Sequence, residues 1–315
     1  MATFFVGREQ ETAVLKNALQ SNEAEMIAVI GRRRVGKTYL IESIYRKQII
    51  FEITGLQSAD KATQLDNFAI RLMARSGSKL PIERPKTWLR AFAMLSTYLE
   101  DQLSDEKKVV FLDELPWLAT HKSGFLAGLS YFWNSWAVKK NVVVVICGSA
   151  ASWMIQKVIN NRGGLYNRVT KRIFLSPFTL LETEQYFQAK GFDFTRYQIT
   201  QLYLALGGIP HHLKEVQKGK TAVQNINRIC FSKNGLLRTE FTRLYPALFA
   251  KADKHIDVIR ALASKQKGLT RNEIIKIANL PNGRSTTQTL EELEYSGFIS
   301  AYQAFKKKRR IAYFD

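Results

Sequence analysis

Residues 31–38 read GRRRVGKT and stand between a short apolar run, MIAVI at 26–30, and a stretch of helical periodicity, YLIESIYRK, from residue 39. This is the pattern G-x-x-x-x-G-K-[ST] at a strand-to-helix junction. Gly31 and Gly36 let the backbone curl, so that successive N–H groups converge at the positive end of the following helix, where a phosphate would rest. Lys37 is expected to reach the β- and γ-phosphates of a nucleotide, and the Thr38 hydroxyl to be a ligand for Mg²⁺. Arg32, Arg33, Arg34, Val35 and Tyr39 complete the expected nucleotide-contacting segment.

Apolar runs of strand length recur beyond this loop: IIFEI at 49–53, VVFLD at 109–113, VVVVIC at 142–147 and RIFL at 172–175. They are separated by longer segments with helical spacing. Short strands that are apolar throughout predict a parallel sheet covered on both faces, an α/β domain over residues 1–180. None approaches the ~20 apolar residues that a membrane-spanning helix needs, so no membrane association is expected. The N-terminus becomes charged by Arg8, which does not fit a secretory signal. Cys147 and Cys230 read as reduced, buried thiols of a cytoplasmic protein.

The run KKVVFLDELPWL at 107–118 is an apolar strand that ends in two adjacent acids. Burying unpaired carboxylates is costly, so Asp113 and Glu114 point to function. Asp113 would hold the Mg²⁺ shell, and Glu114 would accept a proton from a water attacking the γ-phosphate. Ser149 follows the strand VVVVICG at the carboxyl edge, where ligands of open α/β sheets collect, and its hydroxyl could orient that water. As a helix N-cap it would need no such role.

After Pro177 the strand signals stop. Residues 181–250 read as a small helical domain broken by Gly191, Gly207, Gly208 and Pro210. Residues 251–315 read as three helices, near 256–263, 270–278 and 285–296, followed by a two-stranded wing, which is a winged-helix pattern. The chain stops almost inside that wing.

In order along the chain, FFVGRE at 4–9, GRRRVGKT, FLDELPWL at 111–118, YFWNSWA at 131–137, ICGSAASWM at 146–154, NRGGLYNRVT at 161–170, LSPFTLLE at 175–182 and GGIPHHL at 207–213 resemble the archaeal-type family of AAA+-related P-loop ATPases, which bacteria also carry. The resemblance covers most of the first 215 residues. It implies an ASCE-class ATPase, akin to the signal-transducing STAND proteins, with sheet order 5-1-4-3-2, a helical lid and a winged helix; its ligands would be ATP and Mg²⁺. It places Gly7 and Arg8 beside the adenine, Ser149 as the sensor on the fourth strand, and Gly208, Ile209 and Pro210 in a lid motif that closes over the base. It makes Arg168 an arginine acting on the γ-phosphate, with Arg162 and Arg172 as nearby competitors. His211 and His212 stand where a second-sensor arginine would be sought, and read as packing or capping residues. The resemblance also implies that longer relatives continue past the wing into an extra domain, one not expected here.

The formal net charge is +20, with one dense knot at Lys306, Lys307, Lys308, Arg309 and Arg310. Such a field suits a polyanion. On the third helix of the last domain, Ser285, Thr286, Thr287 and Gln288 could meet DNA base edges, while Glu291, Glu292 and Glu294 oppose approach to phosphates. The leading expectation is Mg²⁺-dependent ATP hydrolysis that switches the lid and winged helix, possible in a homo-oligomer. The alternative is a DNA-binding regulator in which ATP is a structural ligand. A small-molecule kinase fits less well, because the acidic pair and Ser149 suit water activation.

Overall fold

Continuous apolar strands need cover on both faces, and the first part of the chain provides it. The computed structural model describes residues 5–77, 82–160, 163–249, 252–265, 267–303 and 311–314. The chain divides into two compact units, Met1–Ser149 with Trp153–Leu175, and Ala150–Ser152 with Ser176–Asp315.

In the first unit the elements run α1 (Glu9–Gln20), β1 (Glu25–Ile30), α2 (Lys37–Tyr45), β2 (Ile49–Thr54), α3 (Lys61–Ser76), α4 (Trp88–Glu100), β3 (Lys108–Asp113), α5 (Leu115–Leu118), α6 (Phe125–Ser135) and β4 (Val142–Gly148). The short α7 (Ala151–Met154), whose first two residues count with the second unit, precedes β5 (Lys171–Phe174), the last strand of the first. All four strand pairings are parallel, in the order β2-β3-β4-β1-β5, which is the order the resemblance implied. Every residue of β1 and β4 is buried. Alternate residues of the strands, among them Ile27, Val29, Phe111, Val145 and Ile173, form one core with Leu15 of α1 and Leu40, Ile41 and Tyr45 of α2. Elsewhere in this unit α3, α4 and α6 build an aromatic layer. Trp88 stands edge-on to Phe125 at 4.7 Å between ring centroids, and Phe92 stacks on Phe132 at 5.3 Å.

Parallel register determines what gathers at the carboxyl edge. Ile30 lies beside Gly148, and Leu112 beside Ile146. The segments that follow β1, β3 and β4 therefore leave the sheet together, which brings residues 31–38, 113–114 and 149 to one edge.

The second unit begins with α8 (Leu180–Ala189), α9 (Arg196–Leu206), α10 (Pro210–Leu213), α11 (Ala222–Ile226) and α12 (Glu240–Leu248). Capping boxes start three of these helices, Thr179 with Glu182, Thr195 with Gln198 and Thr221 with Gln224. Phe178, Phe187, Leu202, Leu206 and Leu213 form their shared core. Then come α13 (Asp253–Ala263), β6 (Leu269–Thr270), α14 (Arg271–Ile277), α15 (Arg284–Tyr295), β7 (Ser300–Gln303) and β8 (Ile311–Phe314). The sheet here has three strands in the order β6-β8-β7, all antiparallel, where two were expected. Two residues are too few to show a period of two, so Leu269 and Thr270 become a strand only by pairing with Tyr313 and Ala312.

A buried histidine and a half-buried glutamate tie α13 to α15. His255 Nε2 lies 2.8 Å from Glu292 Oε2, and the His255 ring stacks on Phe249 at 3.9 Å. The hydrogen bond with His255 holds the Glu292 carboxyl below the usual range against the opposing effect of burial. Glu292 therefore does not belong with Glu291 and Glu294 on the exposed face, as the sequence suggested. The basic knot at Lys306–Arg310, like Arg162, lies outside the described residues.

Candidate nucleotide site

The loop after β1 is shaped by close approach at one glycine and by handedness at another. A Cβ on Gly31 would stand 2.3 Å from the Leu175 carbonyl oxygen, so only glycine fits there. Gly36 caps α2 with φ +93°, and Arg34 is also left-handed at φ 70°. Between them Val35 is buried at 1% exposure, an anchor beneath the loop whose side chain is not presented to a ligand. From α1's first turn, the buried Arg8 donates to the Val35 carbonyl at 3.5 Å and pairs with Glu11 at 3.7 Å. Gly7 and Arg8 both take left-handed backbone, at φ 65° and 61°. Tyr39 is 44% exposed, and its ring stacks on Phe5 at 6.2 Å.

Lys37 is buried. Its Nζ donates to the carbonyls of Gly31 and Arg32 at 2.9 and 3.0 Å, which holds a positive charge inside the curl. Thr38 Oγ1 donates to Asp113 Oδ2 at 2.8 Å across 75 residues of sequence. Asp113 is 4% exposed and accepts the Glu114 N–H on its other oxygen at 2.9 Å. A hydroxyl and a carboxylate at this separation are the hard oxygen donors that Mg²⁺ takes, so these residues fit the ion. Below them, burial and the Asp113 charge push the Cys147 thiol well above its ordinary range, while Cys230 is only half-buried.

Glu114 stands at φ 48°, an unusual conformation for a residue with a Cβ. Its Oε2 accepts from Ser149 N at 3.2 Å and from Ser149 Oγ at 2.8 Å. The Ser149 hydroxyl is thus committed to the carboxylate. Arg33 lies 5.8 Å over the ring of Trp117, one helical turn beyond Glu114.

Arg168 lies away from the phosphate loop of its own chain. The Thr170 N–H bonds to the Met26 carbonyl, so this segment runs beside the start of β1, whereas the phosphate loop follows its end. A six-residue strand separates those levels by roughly 20 Å. Arg168 therefore cannot serve the loop of its own chain. It lines a cavity at the amino edge of the sheet with Trp133, Lys139 and Asn167. Arg172 pairs beside Ala28 in mid-strand and is exposed. Pro210 belongs to the second unit and opens α10, where Gly208 approaches Phe178 so closely that a Cβ would meet its carbonyl at 2.3 Å. His212 Nδ1 lies 3.2 Å from the Leu206 carbonyl at the end of α9.

Gln64 belongs to no motif in the sequence. On α3 the buried residues are Gln64, Leu65, Phe68, Ala69 and Leu72, and a lone amide on that apolar stripe was the available signal.

A parallel sheet in this order, with a glycine-bounded loop, a buried lysine and a threonine–aspartate contact at its carboxyl edge, defines a P-loop nucleotide-binding ATPase fold. The chain belongs to the family described as an ATPase domain predominantly from Archaea, whose model matches residues 5–216. An uncharacterised protein of Methanocaldococcus jannaschii is 27% identical over 216 residues, 68% of this chain and 44% of that relative, so the match spans less than half of the relative's length. Among solved structures, a Walker-type ATPase of Pyrococcus abyssi aligns over 98% of this chain and 93% of its own, at 18% identity and TM-score 0.68. The ORC2 protein of Aeropyrum pernix aligns over 100% and 92%, at 14% identity and TM-score 0.57. Among the described residues, no helix is long and apolar enough to cross a membrane.

Proposed function

We propose that this protein hydrolyses ATP with Mg²⁺ and that nucleotide state governs the arrangement of a helical lid (181–250) and a winged helix (251–315). The observation that carries the reading is the contact of Thr38 with Asp113, next to a Glu114 carboxylate held by Ser149. The A. pernix ORC2 protein was solved with ADPNP and ADP, which supports an adenine nucleotide here. Thr38 and Asp113 would hold Mg²⁺, which when bound neutralises charge on the β- and γ-phosphate oxygens. Lys37 would turn its donors from the Gly31 and Arg32 carbonyls toward those phosphates. Glu114 would take the proton of the attacking water as the new P–O bond forms. The bond from the γ-phosphorus to the β–γ bridging oxygen breaks, and ADP leaves with that electron pair.

Arg168 sits on the edge opposite its own loop, and among the described residues its side chain has no hydrogen-bond or ion-pair partner, which supports a role in a neighbouring copy. We therefore propose a head-to-tail homo-oligomer in which Arg168 completes the next copy's site. Arg168→Ala alone is expected to lower ATP turnover by about 10³-fold. Mixing it with Lys37→Ala should restore activity, because a mixed interface has one intact site. Full turnover by Arg168→Ala without a partner would remove the oligomeric reading.

DNA binding is the second reading. The start of α15 exposes Arg284, Ser285, Thr287 and Gln288, and Glu292 is turned toward His255. Arg271 bonds Asn282, Gly283 and Thr287 and so braces the turn before α15. On this reading a salt-sensitive DNA mobility shift should survive Lys37→Ala and vanish when Lys306–Arg310 are neutralised. A shift unaffected by that neutralisation would place the contact elsewhere.

A further inference from the structure

We infer that Gln64 of α3 is a positioning residue for the hydrolytic step, acting through the turn that carries Glu114. Gln64 is fully buried, yet its amide is well satisfied. Nε2 donates to the Leu56 carbonyl at 2.6 Å and to the Trp117 carbonyl at 3.0 Å, and Oε1 accepts the Leu56 N–H at 3.1 Å. One side chain thus clamps both backbone polar groups of Leu56, just after β2, and ties them to the first turn after β3. An amide in this apolar stripe gains nothing from burial unless each bond is made, so its placement is tied to those two turns.

Those turns are in direct contact. A Cβ on Gly55 would lie 2.7 Å from the Glu114 carbonyl oxygen and 2.8 Å from Trp117 Cβ, and the Gly55 N–H bonds the Asp113 carbonyl at 2.9 Å. Trp117 in turn donates its N–H to the Glu114 carbonyl at 2.9 Å and carries Arg33 of the phosphate loop over its ring. Glu114 is left-handed, a conformation that a residue with a Cβ holds only where its surroundings over-determine it. Ser149 fixes the carboxylate end of Glu114, while Gln64 and Gly55 fix the backbone from the opposite side. Without Gln64 the Trp117 carbonyl loses its donor, and the turn is free to relax the left-handed residue.

The inference rests on Glu114 as the base, and the test separates the two. Gln64→Leu keeps the size and removes all three bonds. ATP turnover under single-turnover conditions should fall about tenfold or more, with ATP affinity within about twofold of wild type. In a Glu114→Gln background the same substitution should cause no further loss, because residues acting through one another are non-additive. A merely structural role would not produce that pattern. Turnover unchanged in folded Gln64→Leu, or an equal loss in both backgrounds, overturns the inference alone. Turnover unchanged in Glu114→Gln overturns the base assignment, and this inference with it. Should Gln64→Leu fail to fold, Gly55→Ala displaces the same turn from its other contact, and the same two criteria apply to it.

Discussion

Glu114→Gln is expected to keep ATP bound while slowing its hydrolysis by about 10²–10⁴-fold, the range for loss of a positioned general base. The substitution isolates protonation from geometry. Glutamine has the size of glutamate, and its carbonyl oxygen can still accept the Ser149 N–H and hydroxyl that now reach Oε2. What it cannot do is take up the proton that the attacking water releases. Binding should be unaffected, because Lys37, Thr38 and the loop backbone are untouched. Titration with a fluorescent ATP analogue and single-turnover phosphate release, measured on one preparation, check both halves. Hydrolysis within about twofold of wild type would show that the proton goes elsewhere.

Lys37→Ala should act on the other half, weakening ATP binding by roughly 10–100-fold, which corresponds to about 1.5–3 kcal/mol for a hydrogen bond to a charged group. Two effects add. The phosphates lose their only loop ammonium, and the Gly31 and Arg32 carbonyls lose the donor that now holds them at 2.9 and 3.0 Å. The loop should loosen as well as lose charge, so the affinity for ADP should fall too. Equilibrium titration with ATP and ADP checks this, and an unchanged affinity for both would disconnect the loop from the nucleotide. The paired outcome is diagnostic: one substitution removes turnover at constant binding, and the other removes binding.

Different parts of this site were legible to different degrees. GRRRVGKT could be read because every part of it is local: strand, curl and helix are contiguous, and the two glycines stand where the backbone must turn. Asp113 and Glu114 stand out by chemistry, since carboxylates that close an apolar strand are costly to bury unpaired. The role of Ser149 was only half readable. Its position past β4 was plain, but its hydroxyl proves to be spent on Glu114, a contact 35 residues distant. Glu292 is ambiguous in the sequence for a related reason. Its spacing on α15 allows an exposed or a buried side, and only the approach of His255 from α13 decides. The resemblance gives Arg168 a γ-phosphate role but does not specify whose nucleotide it serves. A residue preceding β5 must lie at the amino edge once β5 runs parallel to β1.

The amino-acid sequence by itself determined the parallel α/β class, the strand positions, the phosphate loop and the acidic pair. Each is written in contiguous residues, through hydrophobic period, glycine placement and the cost of burying charge. Tertiary structure alone decided that Thr38 meets Asp113, that Ser149 holds Glu114, that Gln64 braces its turn and that Arg168 faces away. Those contacts depend on which strands are neighbours and how their ends align, and local patterning does not specify the distance between residues brought together by a sheet.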